Sequence, residues 1–258
     1  MSKVIQNLPE WQALRSSPFF EKKSVGFVPT MGALHEGHLS LLRRSIEENE
    51  LTVLSVFVNP TQFNNPEDLL HYPRTLSRDC AMAKDLGVDF VLCPEFSDIY
   101  PDSYRYKIEE NQLSQHLCGA HRPGHFSGVL TVVMKLFHLV KPTRAYFGEK
   151  DYQQYLLIKG MAEAFFMDVS IIPCAILRAD DGLALSSRNE RLTPEERLKA
   201  PQLAKILKEG KDLVEIQAQL EEAGFKVDYV HEQEGRRFVA AYLGSVRLID
   251  NQMFHRDH

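Results

Sequence analysis

Apolar and polar positions along the first part of the chain follow the order strand, helix, strand. Residues 24–29 (SVGFVP) and 51–58 (LTVLSVFV) are short apolar runs, which are typical of strands covered on both faces. Between them the pattern becomes helical from His38, with Leu39 and Leu42 on one face. Because parallel strands need a crossover connection, usually a helix, this order predicts a parallel sheet.

The same alternation continues towards residue 176. Val129, Val133, Leu136 and Val140 recur at helical spacing and predict an amphipathic helix. Further helices are expected at residues 81–86 and 152–166, and further strands at residues 90–93, 145–148 and 169–176. The whole pattern predicts an α/β protein with a Rossmann-like, doubly wound parallel sheet.

A different pattern begins near residue 189. Thr193 and Pro194 mark a helix start, with a capping residue, a proline at the first position and acidic residues in the first turn. Two charged helices are expected from there towards residue 223, followed by strands at residues 226–231, 237–242 and 246–249. We therefore predict a larger α/β domain over residues 1–190 and a small C-terminal α+β domain over residues 191–258.

Composition narrows the classes of partner. The 258 residues carry a formal net charge of −5, so the chain lacks the basic surplus that would neutralise a nucleic-acid backbone. The 4 cysteines are scattered without a CxxC pair, which is typical of reduced thiols in a cytoplasmic protein. No apolar window approaches the length of a membrane span, and the N-terminus lacks the pattern of a secretory signal. We expect a cytoplasmic protein with neither a nucleic-acid nor a membrane partner.

The first candidate site is the segment TMGALHEGH, residues 30–38, which follows a strand and opens a helix. A helix N-terminus offers unpaired N–H groups to phosphate, and Gly32 and Gly37 would let a ligand approach the backbone. His35 and His38 can donate hydrogen bonds to phosphate oxygens. The alternative is a tight turn whose histidines are solvated or cap the helix. Zinc binding is disfavoured because HEGH lacks the HExxH spacing.

Two further segments carry charged or hydroxyl side chains. FGEKDYQQ, residues 147–154, again lies where a strand ends and a helix begins; Lys150 could pair with phosphates and Asp151 could accept from a ribose hydroxyl. LSSRN, residues 185–189, offers hydroxyls and a guanidinium that could close over a triphosphate. Taken singly, the first is also compatible with an ordinary capped helix start and the second with any polar loop.

Together these segments resemble the two signature sequences of the HIGH nucleotidyltransferase superfamily. The resemblance is closer to one family within it, the pantoate–β-alanine ligases or pantothenate synthetases. That family's motifs occur here in its order, as PTMGALHEGH, VFVNPTQF, YPRT, RPGHFSGV, FGEKDYQQ and DGLALSSRN. The match runs from about Val25 to Thr193. It implies ATP-dependent condensation of pantoate with β-alanine to pantothenate, through a pantoyl-adenylate, with release of AMP and pyrophosphate.

The resemblance also implies roles for individual residues. The catalytic positions would be His38, His35, Lys150, Ser186, Ser187 and Arg188. The ATP-binding positions would be Thr30, Met31, Gly32, Ala33, Leu34, His35, Glu36, Gly37, His38, Gly148, Glu149, Lys150, Asp151, Leu177, Leu185, Ser186, Ser187 and Arg188. The pantoate and β-alanine positions would be Gln62, Gln154, Asn59, Tyr72 and Arg122. The family further implies ATP as a substrate, Mg²⁺, a homodimer formed by the larger domain, and a C-terminal domain acting as a lid.

Two features depart from the family pattern. Only HEQEGRR joins two of the C-terminal strands, which indicates a trimmed hairpin, and residues 116–119 lack the expected acid-glycine step. Cys118, His121 and His125 have a spacing that could suggest zinc, but a structural site needs a fourth ligand, so we expect no metal site. Two other functions stay open at this point: a related nucleotidyltransferase, which should lack the FGEKDYQQ and VNPTQF pair, and a non-catalytic nucleotide-binding protein, which would tolerate loss of His38 or Lys150.

Overall fold

The computed structural model describes residues 2–254, and its contacts divide the chain into two compact units. The first unit runs from the N-terminus to Gly148 and resumes over Gln153–Cys174; the second comprises Glu149–Tyr152 and the chain from Ala175 onward. These units differ from the ranges predicted for the domains, because residues 175–190 lie in the second unit, where Leu183 is part of the apolar core. The predicted 1–190 and 191–258 domains stay a prediction.

The first unit is built on a six-stranded sheet; its strands are all parallel, as the sequence predicts, and five of the six were expected. Its strands are β1 (Lys3–Ile5), β2 (Val25–Thr30), β3 (Leu51–Val56), β4 (Phe90–Leu92), β5 (Arg144–Gly148) and β6 (Ser170–Cys174). They lie in the order β1-β4-β3-β2-β5-β6. The chain therefore proceeds outward from β2 to β3 and β4 on one side, then returns to add β5 and β6 on the other.

Helices cover both faces of this sheet. They are α1 (Leu8–Arg15), α2 (Glu36–Glu48), α3 (Pro66–Leu70), α4 (Leu76–Leu86), α5 (Phe96–Ile99), α6 (Cys118–His121), α7 (His125–Val140) and α8 (Tyr152–Ala164). On one face, α2 and α4 share a buried cluster with Val28 of β2. On the other, the Phe137 ring of α7 lies 6.3 Å from Phe27 and 6.4 Å from Phe147. Neighbouring strand residues thus point to opposite helical layers, which confirms the doubly wound fold.

Some elements of the first unit differ from the sequence-based prediction. The pattern gave no sign of β1, a strand of three residues that pairs with β4. Helix α7 begins at His125, four residues before the predicted start, directly after Gly124 in the left-handed region at φ 78°. His138 lies on the outer side of this helix and is exposed.

The second unit is an antiparallel sheet with three helices. Its elements are α9 (Pro194–Lys199), α10 (Gln202–Glu209), α11 (Leu213–Glu222), β7 (Lys226–Gln233), β8 (Arg236–Leu243) and β9 (Val246–Met253). Two helices were predicted where three form, because Pro201 interrupts the run between α9 and α10. The predicted hairpin is confirmed: Glu234 and Gly235, with φ of 51° and 71°, make a two-residue turn between β7 and β8.

Two further observations concern residues 2–254 alone. None of the helices described there combines the length and apolar character needed to cross a bilayer. No disulfide joins any of the four cysteines, all of which lie in this part of the chain.

Candidate active site

The position of the first candidate segment follows from the order of the strands. Strand β2 pairs with β3 on one side and β5 on the other, so the direction of winding reverses between β2 and β5. In open α/β sheets the ligand crevice lies outside the carboxyl ends of the strands at such a switch point. Thr30 ends β2 and Gly148 ends β5. Both family motifs that follow these strands therefore begin where the fold favours a ligand.

The turn after β2 is fixed by hydrogen bonds to the buried carboxylate of Asp79. Gly32 and Ala33 are both left-handed, with φ of 81° and 51°. The N–H groups of Ala33 and Leu34 donate to the two carboxylate oxygens of Asp79, at 3.0 and 2.9 Å. A Cβ on residue 32 would lie 2.9 Å from Asp79 Oδ2 and would adopt a strained φ. Gly32 is therefore needed because the carboxylate approaches the backbone this closely.

Asp79 was not among the residues that the sequence singled out. Its side chain is 0% exposed, and the Thr75 hydroxyl also donates to it, at 3.1 Å. Thr75 ends the YPRT motif and serves as the N-cap residue of α4. The signal that could have found Asp79 is its spacing from Ala83, since the two share the buried face of α4.

His35 and His38 lie together at the N-terminus of α2. His35 is the N-cap residue and its Nδ1 accepts from the Gly37 N–H at 3.1 Å, while His38 Nδ1 accepts from the His35 N–H at 3.4 Å. The two ring centroids are 4.1 Å apart. Because each Nδ1 acts as an acceptor, a neutral ring carries its proton on Nε2 and can donate from there. His35 therefore caps α2, which is the alternative raised from the sequence, and the capping bond also fixes the orientation of its ring.

Gln62 lies in a short turn, Pro60–Gln62, whose side chains are organised by Asn59. The Asn59 amide donates to Gln62 Oε1 at 3.0 Å and to the Gly128 carbonyl at 3.2 Å. Its own oxygen accepts from Tyr100 Oη at 3.0 Å, and burial raises the pKa of Tyr100 to about 12, which keeps that phenol a neutral donor. Because Gln62 Oε1 accepts from Asn59, the amide of Gln62 is oriented so that its NH₂ group can donate to a ligand.

The main chain of Gln62 is fixed by residues of the RPGHFSGV motif. The Gln62 carbonyl accepts from His125 Nδ1 at 2.8 Å and from Arg122 Nη2 at 3.3 Å. Arg122 Nη1 also lies 3.0 Å from His125 Nε2. At Gly128 a Cβ would lie 2.5 Å from the Thr61 carbonyl oxygen, so α7 can approach this turn only through a glycine. Arg122 thus holds the turn that carries Gln62.

Residues 118–125 give no sign of a metal centre. Both ring nitrogens of His125 are engaged by Gln62 and Arg122, as described. Within residues 2–254, no three His, Cys, Asp or Glu side chains are grouped so that they could hold a metal ion. The expectation that Cys118, His121 and His125 bind no zinc stays a prediction.

The remaining predicted substrate residues lie apart in sequence. Tyr72 is buried and packs edge-on against Phe63, with ring centroids 5.6 Å apart. Gln154 is half-buried on the first turn of α8. Its neighbour Gln153, which the sequence did not single out, is buried; it accepts from the Cys118 N–H at 3.0 Å and donates to the carbonyls of Leu113 and His116. Gln153 therefore fixes the loop that leads into α6.

In the second unit, the predicted ATP residues form two short structures. The 3₁₀ turn Glu149–Asp151 places Lys150 Nζ 3.8 Å from Asp151 Oδ2. The segment from Leu177 to Leu185 is a small hairpin, in which the Leu177 carbonyl accepts from the Leu185 N–H at 2.9 Å. One acceptor position of the Leu177 carbonyl is therefore occupied by Leu185, and ATP binding by Leu177 stays a prediction.

Residues 185–188 follow directly from this hairpin. Ser186 is the N-cap residue of the 3₁₀ helix Ser187–Arg191, and its hydroxyl accepts from the Arg188 N–H at 3.2 Å. Ser187 is buried and Leu185 and Arg188 are half-buried. The predicted polar loop is therefore a capped helical turn, because serine favours the N-cap position.

Comparisons with known proteins bear on the whole chain. Residues 3–253 match the family model described as pantoate-beta-alanine ligase. The chain is 57% identical over 251 residues to the pantothenate synthetase of Bdellovibrio bacteriovorus, which covers 97% of this chain and 99% of that protein. It is 53% identical over 257 residues to the pantothenate synthetase of Coxiella burnetii, covering 100% and 99%.

Solved structures give the same result. A pantoate-beta-alanine ligase from Francisella tularensis, solved in complex with beta-gamma ATP and beta-alanine, has a TM-score of 0.94 and 42% identity, covering 98% of each chain. The pantothenate synthetase of Thermus thermophilus has a TM-score of 0.90 and 40% identity, covering 98% of this chain and 99% of that one. The chain belongs to the pantoate-beta-alanine ligase family.

Proposed function

We propose that the condensation of pantoate with β-alanine, which this enzyme family carries out with ATP, proceeds here in two steps. A carboxylate oxygen of pantoate attacks the α-phosphorus of ATP, the bond to the β-phosphate oxygen breaks, and pyrophosphate leaves. The amine of β-alanine then attacks the carbonyl carbon of the pantoyl-adenylate and loses a proton, and AMP leaves with the former carboxylate oxygen. Adenylation is needed because a free carboxylate oxygen is a poor leaving group.

One observation supports the proposal above the others. It is the pair of imidazole rings at the N-terminus of α2, held by backbone N–H groups at the switch point of the sheet. A helix N-terminus favours anionic groups, and oriented Nε2–H donors can stabilise charge that develops on phosphate oxygens as pyrophosphate leaves. We assign catalytic roles on this basis to His38 and His35.

The other nucleotide roles come from the family motifs. In the first unit we assign ATP binding to residues 30–38 and to Gly148. In the second unit we assign it to Glu149–Asp151, Leu177 and residues 185–188, with Lys150 and Arg188 on the phosphates. Cationic donors of this kind offset negative charge on a departing pyrophosphate.

Pantoate is assigned to Gln62 and Gln154, with Asn59, Tyr72 and Arg122 at further positions of the pocket. Amides can grip hydroxyl and carboxylate groups without neutralising the nucleophile, as a cation would do. The contact of the Asn59 amide with Gln62 Oε1 supports this assignment, because it orients the NH₂ group of Gln62. Exclusion of water would protect the adenylate from hydrolysis.

Mg²⁺ is part of the proposal as the counter-ion of ATP. This hard cation prefers oxygen ligands and binds in nucleotide enzymes through substrate phosphates with one or two carboxylates. We therefore propose that the ion would enter with the nucleotide and be held mainly by its phosphate oxygens. Bound there, it would neutralise charge on the triphosphate.

Assembly and compartment complete the proposal. We propose a homodimer in the cytoplasm, as the family resemblance and the cysteine pattern imply. Light scattering at micromolar concentration should give twice the chain mass of 29.6 kDa. A clean monomer mass would contradict the dimer.

The experiment that tests the two-step reaction is exchange of labelled pyrophosphate into ATP. We expect exchange that requires pantoate and Mg²⁺ and proceeds without β-alanine, because the first step is complete before the amine reacts. Exchange that appears only after β-alanine is added would contradict a separate adenylate, and formation of ADP instead of AMP would exclude adenylation.

A further inference from the structure

Three polar residues are buried together in the second unit, beside the turn Glu149–Asp151. Asp250 and Asn251 of β9 are 3% and 2% exposed, and Arg236 of β8 is 8% exposed. Burying polar and charged groups is costly unless they are paired and hydrogen-bonded. None of the three is among the residues assigned to ATP or substrate, so the cost of burying them must have another structural reason.

The side chain of Asn251 binds the main chain of the turn Glu149–Asp151. Its Nδ2 donates to the carbonyl oxygens of Glu149 and Lys150, both at 2.9 Å. The Asn251 Oδ1 accepts from Arg236 Nη1, which fixes the orientation of the amide. A single side chain thus binds two successive carbonyls of the turn that carries Lys150.

Arg236 holds the side chains on either end of the same turn. Its Nη2 lies 3.6 Å from Glu149 Oε1, and its guanidinium carbon lies 3.9 Å from the centre of the Tyr152 ring. Tyr152 in turn packs near Phe238 of β8, with ring centroids 6.1 Å apart. The turn is therefore anchored to β8 and β9 at its main chain, its first residue and the residue after it.

Asp250, the neighbour of Asn251, anchors the hairpin that precedes residues 185–188. Its two carboxylate oxygens accept from Arg178 Nη1 and Nη2, at 2.6 and 2.9 Å, and the hydrogen bond raises the pKa of Arg178 above its ordinary value. Arg178 Nη1 also donates to the Gly182 carbonyl at 3.1 Å. The Asn251 N–H donates to Asp250 Oδ1 at 2.7 Å, which links the two anchors.

We propose that Asp250 and Asn251 are positioning residues for adenylation. Asn251 fixes the turn of Lys150 and Asp151, and Asp250 fixes the hairpin that presents residues 185–188, so that both nucleotide segments are held in register by two adjacent positions of β9. The inference rests on the proposed function, because it takes Lys150 and residues 185–188 to bind ATP. The preorganisation of these segments would then depend on residues far along the chain: Asn251 lies 102 and 101 positions after Glu149 and Lys150, and Asp250 lies 72 positions after Arg178.

The test compares Asn251→Asp with Gln252→Glu. Asn251→Asp keeps the acceptor for Arg236 and removes both donors to the turn. Gln252→Glu is the matched control, because Gln252 Nε2 also donates to a main-chain carbonyl, that of Ala204 at 3.1 Å, which belongs to α10 and not to the turn. Asp250→Asn, which weakens the Arg178 pair and can also disturb the hydrogen bond from the Asn251 N–H to Asp250 Oδ1, serves as a second variant should Asn251→Asp fail to fold.

Two readouts separate the contact from its function. Hydrogen exchange by mass spectrometry measures the protection of residues 149–152 without any assay of activity. Pyrophosphate exchange and the full reaction give KM for ATP and for β-alanine. We expect Asn251→Asp to lose protection in this turn and to lower kcat/KM for ATP at least about tenfold, since small misplacements of catalytic groups cost one to two orders of magnitude. KM for β-alanine should stay within twofold or so of the parent value.

Each outcome decides one question. Unchanged protection of residues 149–152 in Asn251→Asp would overturn the inference. Lost protection with normal use of ATP would instead overturn the assignment of this turn to ATP binding, and with it that part of the proposed function. Equal kinetic losses in Gln252→Glu and Asn251→Asp would also overturn the inference, because the effect would then be general damage to β9.

Discussion

The two units hold their nucleotide segments by opposite chemistry. In the first unit, one carboxylate, Asp79, accepts from successive N–H groups of the turn after β2. In the second unit, one amide, Asn251, donates to successive carbonyls of the turn Glu149–Asp151. Both turns are therefore fixed at the main chain by a buried side chain that is distant in sequence.

This difference determines which backbone and side-chain groups of each turn can still bind a ligand. The N–H groups of Ala33 and Leu34 are used internally, so they are not the phosphate donors that a glycine-containing turn usually offers. We therefore propose that phosphate recognition in the first unit rests on the histidines and the N-terminus of α2. In the second unit the carbonyls are bound, and the turn presents the cationic side chain of Lys150.

The largest effect is expected for His38→Ala and Lys150→Ala, one in each unit. Both side chains are proposed to act on charge that develops as pyrophosphate leaves, so either variant should lower the adenylation rate at least about 100-fold. Pyrophosphate exchange measures that rate. A similar loss in both would place the two regions in the same step, and a loss in only one would break the comparison.

A surface histidine and a surface lysine of the first unit provide the matched controls. His138 is exposed on α7, and Lys159 is exposed on α8, where it pairs with Glu163 at 3.8 Å. His138→Ala and Lys159→Ala remove the same side-chain types from the surface and should keep normal rates. Near-normal turnover of His38→Ala or Lys150→Ala would refute the role assigned to that residue.

A smaller effect is expected for Asp79→Asn, which puts an NH₂ group opposite one of the two N–H donors of the turn. The unsatisfied buried pair should lower the free energy of unfolding by about 1–3 kcal/mol, as urea denaturation would measure. We also expect a weaker use of ATP, because the turn leads into the N-terminus of α2, where His35 and His38 lie. Asp85→Asn on the exposed face of α4 is the control; equal stability of the two variants would show that Asp79 does not anchor the turn.

The smallest effects concern residues 118–125. Arg122→Ala removes a donor to the Gln62 carbonyl and should raise KM for pantoate by about tenfold, a cost of roughly 1.4 kcal/mol that is typical of one hydrogen bond to a charged group.

Cys118→Ser should leave activity within a few-fold, since the contact of this residue with Gln153 uses the backbone N–H. The expectation that Cys118, His121 and His125 bind no zinc would be contradicted by stoichiometric zinc in protein purified without added metal, together with activity that is lost on chelation and restored by zinc alone.

The sequence predicted the first unit better than the second for a physical reason. Buried parallel strands appear as short apolar runs, and the amphipathic helix α7 appears as apolar residues at helical spacing. Both patterns can be recognised in consecutive residues, so the parallel sheet and the order of its elements could be predicted. The segments HEGH and LSSRN also stand out locally. Gln153 and Asn251 do not stand out in this way, because each is an ordinary polar residue until the fold brings a distant main chain to it. For Asp79 the only local signal is its helical spacing from Ala83, which does not reveal that it binds the turn after β2.

The domain ranges predicted from the sequence differ from the two contact-based units for a related reason, and they stay a prediction. The helix start at Thr193 is a strong local signal, confirmed as the N-cap of α9, and it drew the predicted boundary to residue 190. The compact second unit already begins at Ala175, because the hairpin after β6 is bound by Arg178 to Asp250. An ion pair between residues so far apart leaves no periodic trace in the sequence.

The most direct test of the central proposal follows one oxygen atom. Pantoate labelled with ¹⁸O in its carboxylate would be incubated with ATP, Mg²⁺ and β-alanine, and the AMP analysed by mass spectrometry. We predict AMP that carries one ¹⁸O atom, because the oxygen that attacks the α-phosphorus leaves with AMP when the amine attacks the carbonyl carbon. Unlabelled AMP, or ADP in its place, would contradict a pantoyl-adenylate.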